Sequence, residues 1–270
     1  MNINQFFNLF LTEIQQTKSL QAYYRFLKST GRFEFRKAYF LQRLQYIYDH
    51  INTEKSVIWD CGCGYGTTGI FLAMNGISSF GSTLEFYFKD ISERKNYWKQ
   101  YGNVDLFTVN YENMFDNPPA GNSVDIILLQ DTLHHLEPFQ DALTIFNNVL
   151  RPNGTLILIE ENGNNIIQRF KLYLRRKNNM VITIWDERLK KNITIGNENI
   201  RSIETWRREF SKQNFKIIDN ETRYIRVFPP FMLKSENADH VIAREQKLWR
   251  KNELIKEYFF FGLNFIVKKK

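Results

Sequence analysis

The residues best suited to chemistry in this chain are Asp60-Cys61-Gly62-Cys63-Gly64-Tyr65-Gly66. An apolar run, Val57-Ile58-Trp59, leads into them, and a helix-like stretch from Thr67 to Asn75 follows. That order reads as a strand, a glycine-rich turn and a helix. Glycines let the backbone turn sharply and approach a ligand closely. A helix start offers unpaired N–H groups and a positive dipole end to an anionic ligand group. The acid at Asp60 sharpens the reading. A carboxylate there repels a pyrophosphate but suits a ligand carrying an ammonium or a sulfonium-linked amino acid. The chemistry implied is binding of a nucleoside–amino-acid cofactor, S-adenosylmethionine, in preference to a dinucleotide. Two alternatives stay open. Gly64-Tyr65-Gly66-Thr67-Thr68-Gly69 also fits the G-x-G-x-x-G dinucleotide pattern, and the stretch could be a tight turn in some other α/β domain.

The surrounding elements must hold that turn. Residues 2–54 read as a helical extension, with apolar residues at 35, 39, 40, 44, 47, 48 and 51 forming a helical stripe. From residue 55 strand and helix alternate. Strands are expected at 56–59, 78–85, 104–109, 124–129 and 155–160, with a helix over 138–150. Such units with continuous apolar strands imply a parallel sheet covered on both faces. The regularity breaks at residue 162, where an insertion to about residue 200 is rich in Asn and basic residues. A helix over 203–213, a strand over 215–227, a charged helix over 237–255 and a last strand over 258–267 complete the chain. The expected organisation is an extension, 1–54, and one domain, 55–270, with the insertion at 162–200 and a C-terminal strand pair.

Composition narrows the classes. The net charge is +8, and residues 162–191 hold eight basic residues against Asp186 and Glu187. A basic patch attracts nucleic acid, anionic lipid or acidic substrates, or is simply a solvated face. No stretch reaches the roughly 18 apolar residues of a membrane span, and no signal peptide is apparent. The only cysteines, Cys61 and Cys63, stand one residue apart. They make no disulfide framework and a poor zinc site, so no metal is expected and the default setting is the reduced cytoplasm.

Taken together, the motifs resemble the class I S-adenosylmethionine-dependent methyltransferases over about Val57 to Glu161, with a looser match of the two final strands. The carriers are Asp60-x-Gly62-x-Gly64-x-Gly66, an acid (Glu85) after the second strand, a polar residue (Asn110) ending the third, and the run Val124 to Leu136. Arg151-Pro152-Asn153-Gly154 resembles the family's turn into strand five. The resemblance implies a Rossmann-like seven-stranded, mostly parallel sheet with helices on both faces, and here also an N-terminal helical extension and an inserted lid-like segment. It further implies that S-adenosylmethionine binds and leaves as S-adenosylhomocysteine. Asp60 and Gly62, Gly64 and Gly66 would lie by the methionine part, and Gln130 near its amino-acid end. Glu85 would hold the ribose hydroxyls, with Asp90 as the alternative acid, and Asn110 would face the adenine.

Methyl transfer from a sulfonium depends chiefly on positioning, and a base is needed only if the acceptor must lose a proton. His135 and His134, just beyond strand four, are the candidate bases, with Glu160 and Glu161 secondary. Each could instead cap a helix or pack structurally. Asp116-Asn117-Pro118-Pro119 precedes strand four and lacks a stacking aromatic, so it reads as a turn rather than a base-methylation motif. In the insertion, Ile166, Ile167, Phe170, Tyr173 and Leu174 share one helical face, with basic residues opposite. This helix could be a lid over the acceptor pocket, a contact with an anionic membrane surface, or a site for an acidic carrier or nucleic acid. The expected activity is methylation, at oxygen, of a small aromatic or lipophilic acceptor by a cytoplasmic protein, peripheral to the membrane if the helix touches lipid. RNA or protein methylation, and cofactor binding without catalysis, remain alternatives.

Overall fold

The structure, a computed structural model, describes residues 1–51, 55–84 and 87–270. Among these residues the strands are β1 (Ile58–Cys61), β2 (Ser79–Thr83), β3 (Phe107–Tyr111), β4 (Val124–Gln130), β5 (Leu150–Glu161), β6 (Val181–Asp186), β7 (Lys191–Gly196), β8 (Phe215–Ile225) and β9 (Gly262–Lys269). The α-helices are α1 (Ile3–Gln16), α2 (Lys18–Tyr24), α3 (Phe33–Asp49), α4 (Thr67–Ala73), α5 (Phe88–Trp98), α6 (Phe139–Val149), α7 (Ile166–Arg176), α8 (Ile203–Ser211), α9 (Ala238–Lys251) and α10 (Glu253–Phe259). Seven strands form one sheet in the order β3-β2-β1-β4-β5-β9-β8, and β6 with β7 makes a separate hairpin. β1 to β5 pair in parallel, and β9 runs antiparallel to both its neighbours. The expected sheet is therefore present.

Side-chain alternation along the strands builds two cores. Ile58, Ile126, Leu128, Ile157 and Ile159 face α1, α3, α4 and α5. Trp59, Ile127, Leu129, Leu156 and Leu158 face α6 and α8 through Phe146, Trp206 and Phe210. Strands buried on both faces read as unbroken apolar runs, which is why β4 and β5 lack polar alternation.

The N-terminal extension is part of the first core. Phe6 stacks on Trp98 at 4.7 Å between ring centroids, and Phe7, Phe10, Phe26 and Phe40 interlock around it. Glu13, buried on α1, takes two 2.8 Å bonds from Arg94 of α5 and one of 2.9 Å from the Trp98 indole. Arg94 also reaches the Tyr65 carbonyl and the Thr67 hydroxyl of the glycine turn. A buried charge needs this degree of pairing to be tolerated.

The insertion departs from the expectation of a helical lid. α7 points Ile166, Ile167, Phe170, Tyr173 and Leu174 at solvent and buries Gln168 and Leu172 instead. The covering element is the β6–β7 hairpin, which the sequence reading did not anticipate.

Candidate functional site

β1 and β4 lie side by side, yet their crossover connections leave in opposite directions, to β2 and to β5. Ligands bind in the crevice that opens at such a switch, beyond the carboxyl ends of the strands. A cavity of about 340 Å³ lies there, lined by the glycine turn, the ends of β2 and β4, residues 112–115 and the hairpin. The turn's geometry explains its glycines. Gly62 has φ +78°, and a Cβ there would strike the Thr132 side chain at 2.4 Å. Gly64 has φ +53° with no atom within 4 Å of that position, so the backbone faces open cavity.

Asp60 lies beneath this turn, fully buried, with no hydrogen-bond partner on either carboxylate oxygen. Burial alone pushes its pKa up to about 7. A buried acceptor without a donor is costly. A ligand ammonium reaching into the turn would relieve that cost, so the residues present fit the amino-acid end of S-adenosylmethionine. Gln130 ends β4 at the cavity wall, and its amide donates to Thr68 at 2.7 Å.

The other sequence candidates are distributed unevenly. Gly66 has φ +71° and caps α4 but does not line the cavity. Glu85 lies outside the described residues. Asn110 is exposed on β3, the sheet's edge strand, and is not among the residues lining this cavity. Its side-chain direction follows the pleat, and the strand continues past it to Tyr111. Asn113 and Met114, in the loop beyond, are buried and line the cavity.

The two histidines face different surroundings. His134 is buried, with Nδ1 2.5 Å from Glu160 and Nε2 3.7 Å from Glu198. Burial alone would lower its pKa, but Glu160, Asp131 and Glu198 outweigh that and push it up to about 9. These acids favour the imidazolium form of His134. Glu160 also accepts from the Thr132 and Leu133 amides, fixing the loop after β4. His135 Nδ1 lies 2.8 Å from the Gly196 carbonyl. A carbonyl only accepts, so Nδ1 carries the hydrogen and, in the neutral ring, Nε2 keeps its lone pair. Gly196 must be glycine because a Cβ would lie 2.1 Å from the His134 carbonyl oxygen. His134, His135 and Glu198 bring ligand atoms within 4.8 Å of one another. A metal ion there would have to displace the proton that the acids hold on His134.

Several wall residues escaped the sequence reading. Asp131, at φ +49°, is held by Arg43 of α3 at 2.5 Å. Burial would raise its pKa, but the guanidinium holds it below the usual carboxylate range. A non-glycine residue in that conformation is strained, and such strain clusters at functional sites. Tyr23 of α2 and Glu198 beyond the hairpin also line the cavity. All three come together through contacts distant in sequence, so only Asp131, adjoining Gln130, carried a local signal.

Residues 59–158 match the family model described as a methyltransferase domain. This stretch of the chain carries a methyltransferase domain. Comparison of the sequence with curated proteins found none that matches. The fold is similar to that of the geranyl diphosphate C-methyltransferase of Streptomyces coelicolor, solved with Mg2+, geranyl diphosphate and S-adenosyl-L-homocysteine (14% identity, TM-score 0.57, covering 88% of this chain and 86% of that one). It is also similar to a SAM-dependent methyltransferase of Methanosarcina mazei (16%, 0.55, 83% and 96%) and to the 4+2 cyclase SpnF (15%, 0.56, 89% and 84%). At these identities the likeness concerns the fold. S-adenosylmethionine as cofactor goes with the methyltransferase-domain match, not with these neighbours.

Proposed function

We propose that this methyltransferase acts on oxygen of a small acceptor with aromatic or lipophilic character, with His135 as general base. S-adenosylmethionine supplies a sulfonium-bound methyl, so that the acceptor's lone pair forms the new bond to carbon as the C–S pair returns to sulfur. Asp60 and the turn from Gly62 to Gly64 would hold the donor's amino-acid end, with Gln130 beside it. Glu85, by resemblance, would take the ribose. The Asn113 and Met114 wall is the candidate adenine contact, and the hairpin isoleucines Ile184, Ile193 and Ile195 would keep water from the reacting centre.

The observation carrying the base assignment is the Gly196 carbonyl on His135 Nδ1, which leaves Nε2 of the neutral ring to take the acceptor's proton. His134, whose proton the surrounding acids favour, is the poorer base; it positions the loop through Glu160. The aromatic character of the acceptor rests on Tyr23, Phe35, Tyr39 and Phe40 around an adjoining cavity. We further infer a cytoplasmic protein peripheral to an anionic membrane, because the apolar face of α7 is exposed beside basic residues.

Calorimetric titration tests the donor half. Micromolar binding of S-adenosylmethionine and S-adenosylhomocysteine is expected, with no binding of NAD; the reverse pattern would sink the proposal. For the base, His135→Gln should lower kcat about 10²- to 10⁴-fold while donor affinity stays unchanged. Equal turnover by that variant would show that positioning alone suffices.

A further inference from the structure

A second cavity, of about 590 Å³, lies between the N-terminal helices and the glycine turn. It shares Tyr23, Gly62, Gly64, Gln130, Asp131 and Glu161 with the first, so the two adjoin at the end of β4. Its charges do not balance. Arg25, Arg36, Arg43 and Arg226 line it against only Asp131 and Glu161. Arg43 is matched to Asp131 at 2.5 Å, and Arg226 stands 4.0 Å from Glu161. Arg25 and Arg36 have no acidic partner within ion-pair distance among the described residues.

Arg25 sits at φ +55° with Nε donating to the Ala22 carbonyl at 3.2 Å, which leaves the end of its guanidinium outside that bond. Arg36 projects from α3, and its Nη1 is buried without any hydrogen-bond partner. Burial, then the like charges of Arg32 and Arg25, pull the Arg36 pKa down. A guanidinium stays charged in proteins. Two such groups turned toward one cavity without a counter-ion repel each other, and Arg36 Nη1 is left without an acceptor. An oxyanion corrects both faults, since the guanidinium fork matches phosphate and carboxylate geometry.

We propose that this second cavity receives an oxyanion of the methyl acceptor, bound by Arg36 and Arg25, while Phe35 and Tyr39 flank the acceptor's body. The inference rests on the first cavity holding the donor. Phosphate fits better than carboxylate, because it brings a charge near −2 to two unmatched guanidiniums. The acceptor's reacting oxygen would then lie on the side where the cavities meet, toward Asp131, Glu161 and the loop bearing His135.

The test is titration of inorganic phosphate, and separately of benzoate, into protein saturated with S-adenosylhomocysteine. Phosphate should bind without displacing S-adenosylhomocysteine, and more tightly than benzoate. Arg36→Gln and Arg25→Gln should each weaken it at least tenfold, Arg36→Lys less, and Lys171→Gln on the exposed α7 not at all. S-adenosylhomocysteine affinity should stay within twofold in every variant, which also reports folding. Benzoate binding more tightly, still through Arg36, would keep the subsite and make its anion a carboxylate. Phosphate binding insensitive to Arg36 and Arg25, or equally sensitive to Lys171, would overturn the proposal. If S-adenosylhomocysteine itself fails to bind, the donor reading falls; the same phosphate titration on the free protein then still decides whether Arg36 and Arg25 form an anion site.

Discussion

At the scale of single residues, the role proposed for Asp60 links stability to donor binding. Its folded pKa, about 7, lies above the ordinary carboxylate value of 3.8. The folded state thus holds the proton more firmly than the unfolded chain does. Stability is highest below the unfolded pKa and declines as pH rises from about 4 to about 7. Three pH units correspond to about 4 kcal/mol. Asp60→Asn removes the ionisable group, so the ligand-free variant should be more stable than the parent at pH 8, with the gain shrinking toward pH 5. Urea denaturation at both values reads this directly. Donor binding should move the other way. A proton on Asp60 competes with the donor's ammonium, so the parent's affinity should fall roughly 25-fold from pH 7.5 to pH 5.5. The Asn variant should bind weakly and without that dependence. If parent and variant bind alike at both pH values, Asp60 has no part in the donor site.

At the scale of elements, the clamp between α1 and α5 sets how firmly the extension covers the site. Glu13→Ala would strand the Arg94 guanidinium, which is buried to 2% exposure. Removing one partner of a buried pair costs roughly 3–5 kcal/mol. Arg94 also braces the Tyr65 carbonyl and Thr67, so donor affinity should fall with stability. Urea unfolding and calorimetry together check this; a loss below 1 kcal/mol would mean that water replaces the pair. The clamp marks a limit of sequence reading, because Glu13 and Arg94 lie on separate helices with no shared periodicity. What was legible came from local pattern. β1, β4 and β5 are apolar runs bounded by turn residues, and the α3 stripe follows helical spacing. The hairpin was not legible, because Val181, Ile184 and Trp185 are largely exposed and no burial alternation marks them. The glycine turn was legible because left-handed backbone demands glycine, whereas the walls from Asn113 and Glu198 depend on loop paths that no local rule sets.

At the scale of the whole molecule, the hairpin that covers the crevice and the apolar face of α7 belong to one chain segment that begins where β5 ends. Among the described residues no helix is long and apolar enough to cross a membrane. Phe170 and Leu174 nevertheless stand 64% and 65% exposed, beside Arg169, Lys171 and Arg175. Side chains of this size give roughly 1.5–3 kcal/mol each when fully buried, and each basic residue near an anionic surface adds about 1 kcal/mol. Neither contribution suffices alone for stable attachment, but together they suit a helix lying in the interface. The protein should therefore sediment with vesicles rich in phosphatidylserine and not with pure phosphatidylcholine. High salt should weaken the attachment by screening the charges. Phe170→Ser with Leu174→Ser should reduce it at least tenfold, the equivalent of about 1.4 kcal/mol, and leave S-adenosylhomocysteine binding intact because neither residue lines the donor cavity. Vesicle binding that survives the double substitution would assign the contact to the basic residues alone. Absence of binding to either vesicle would leave the α7 face for a partner other than lipid.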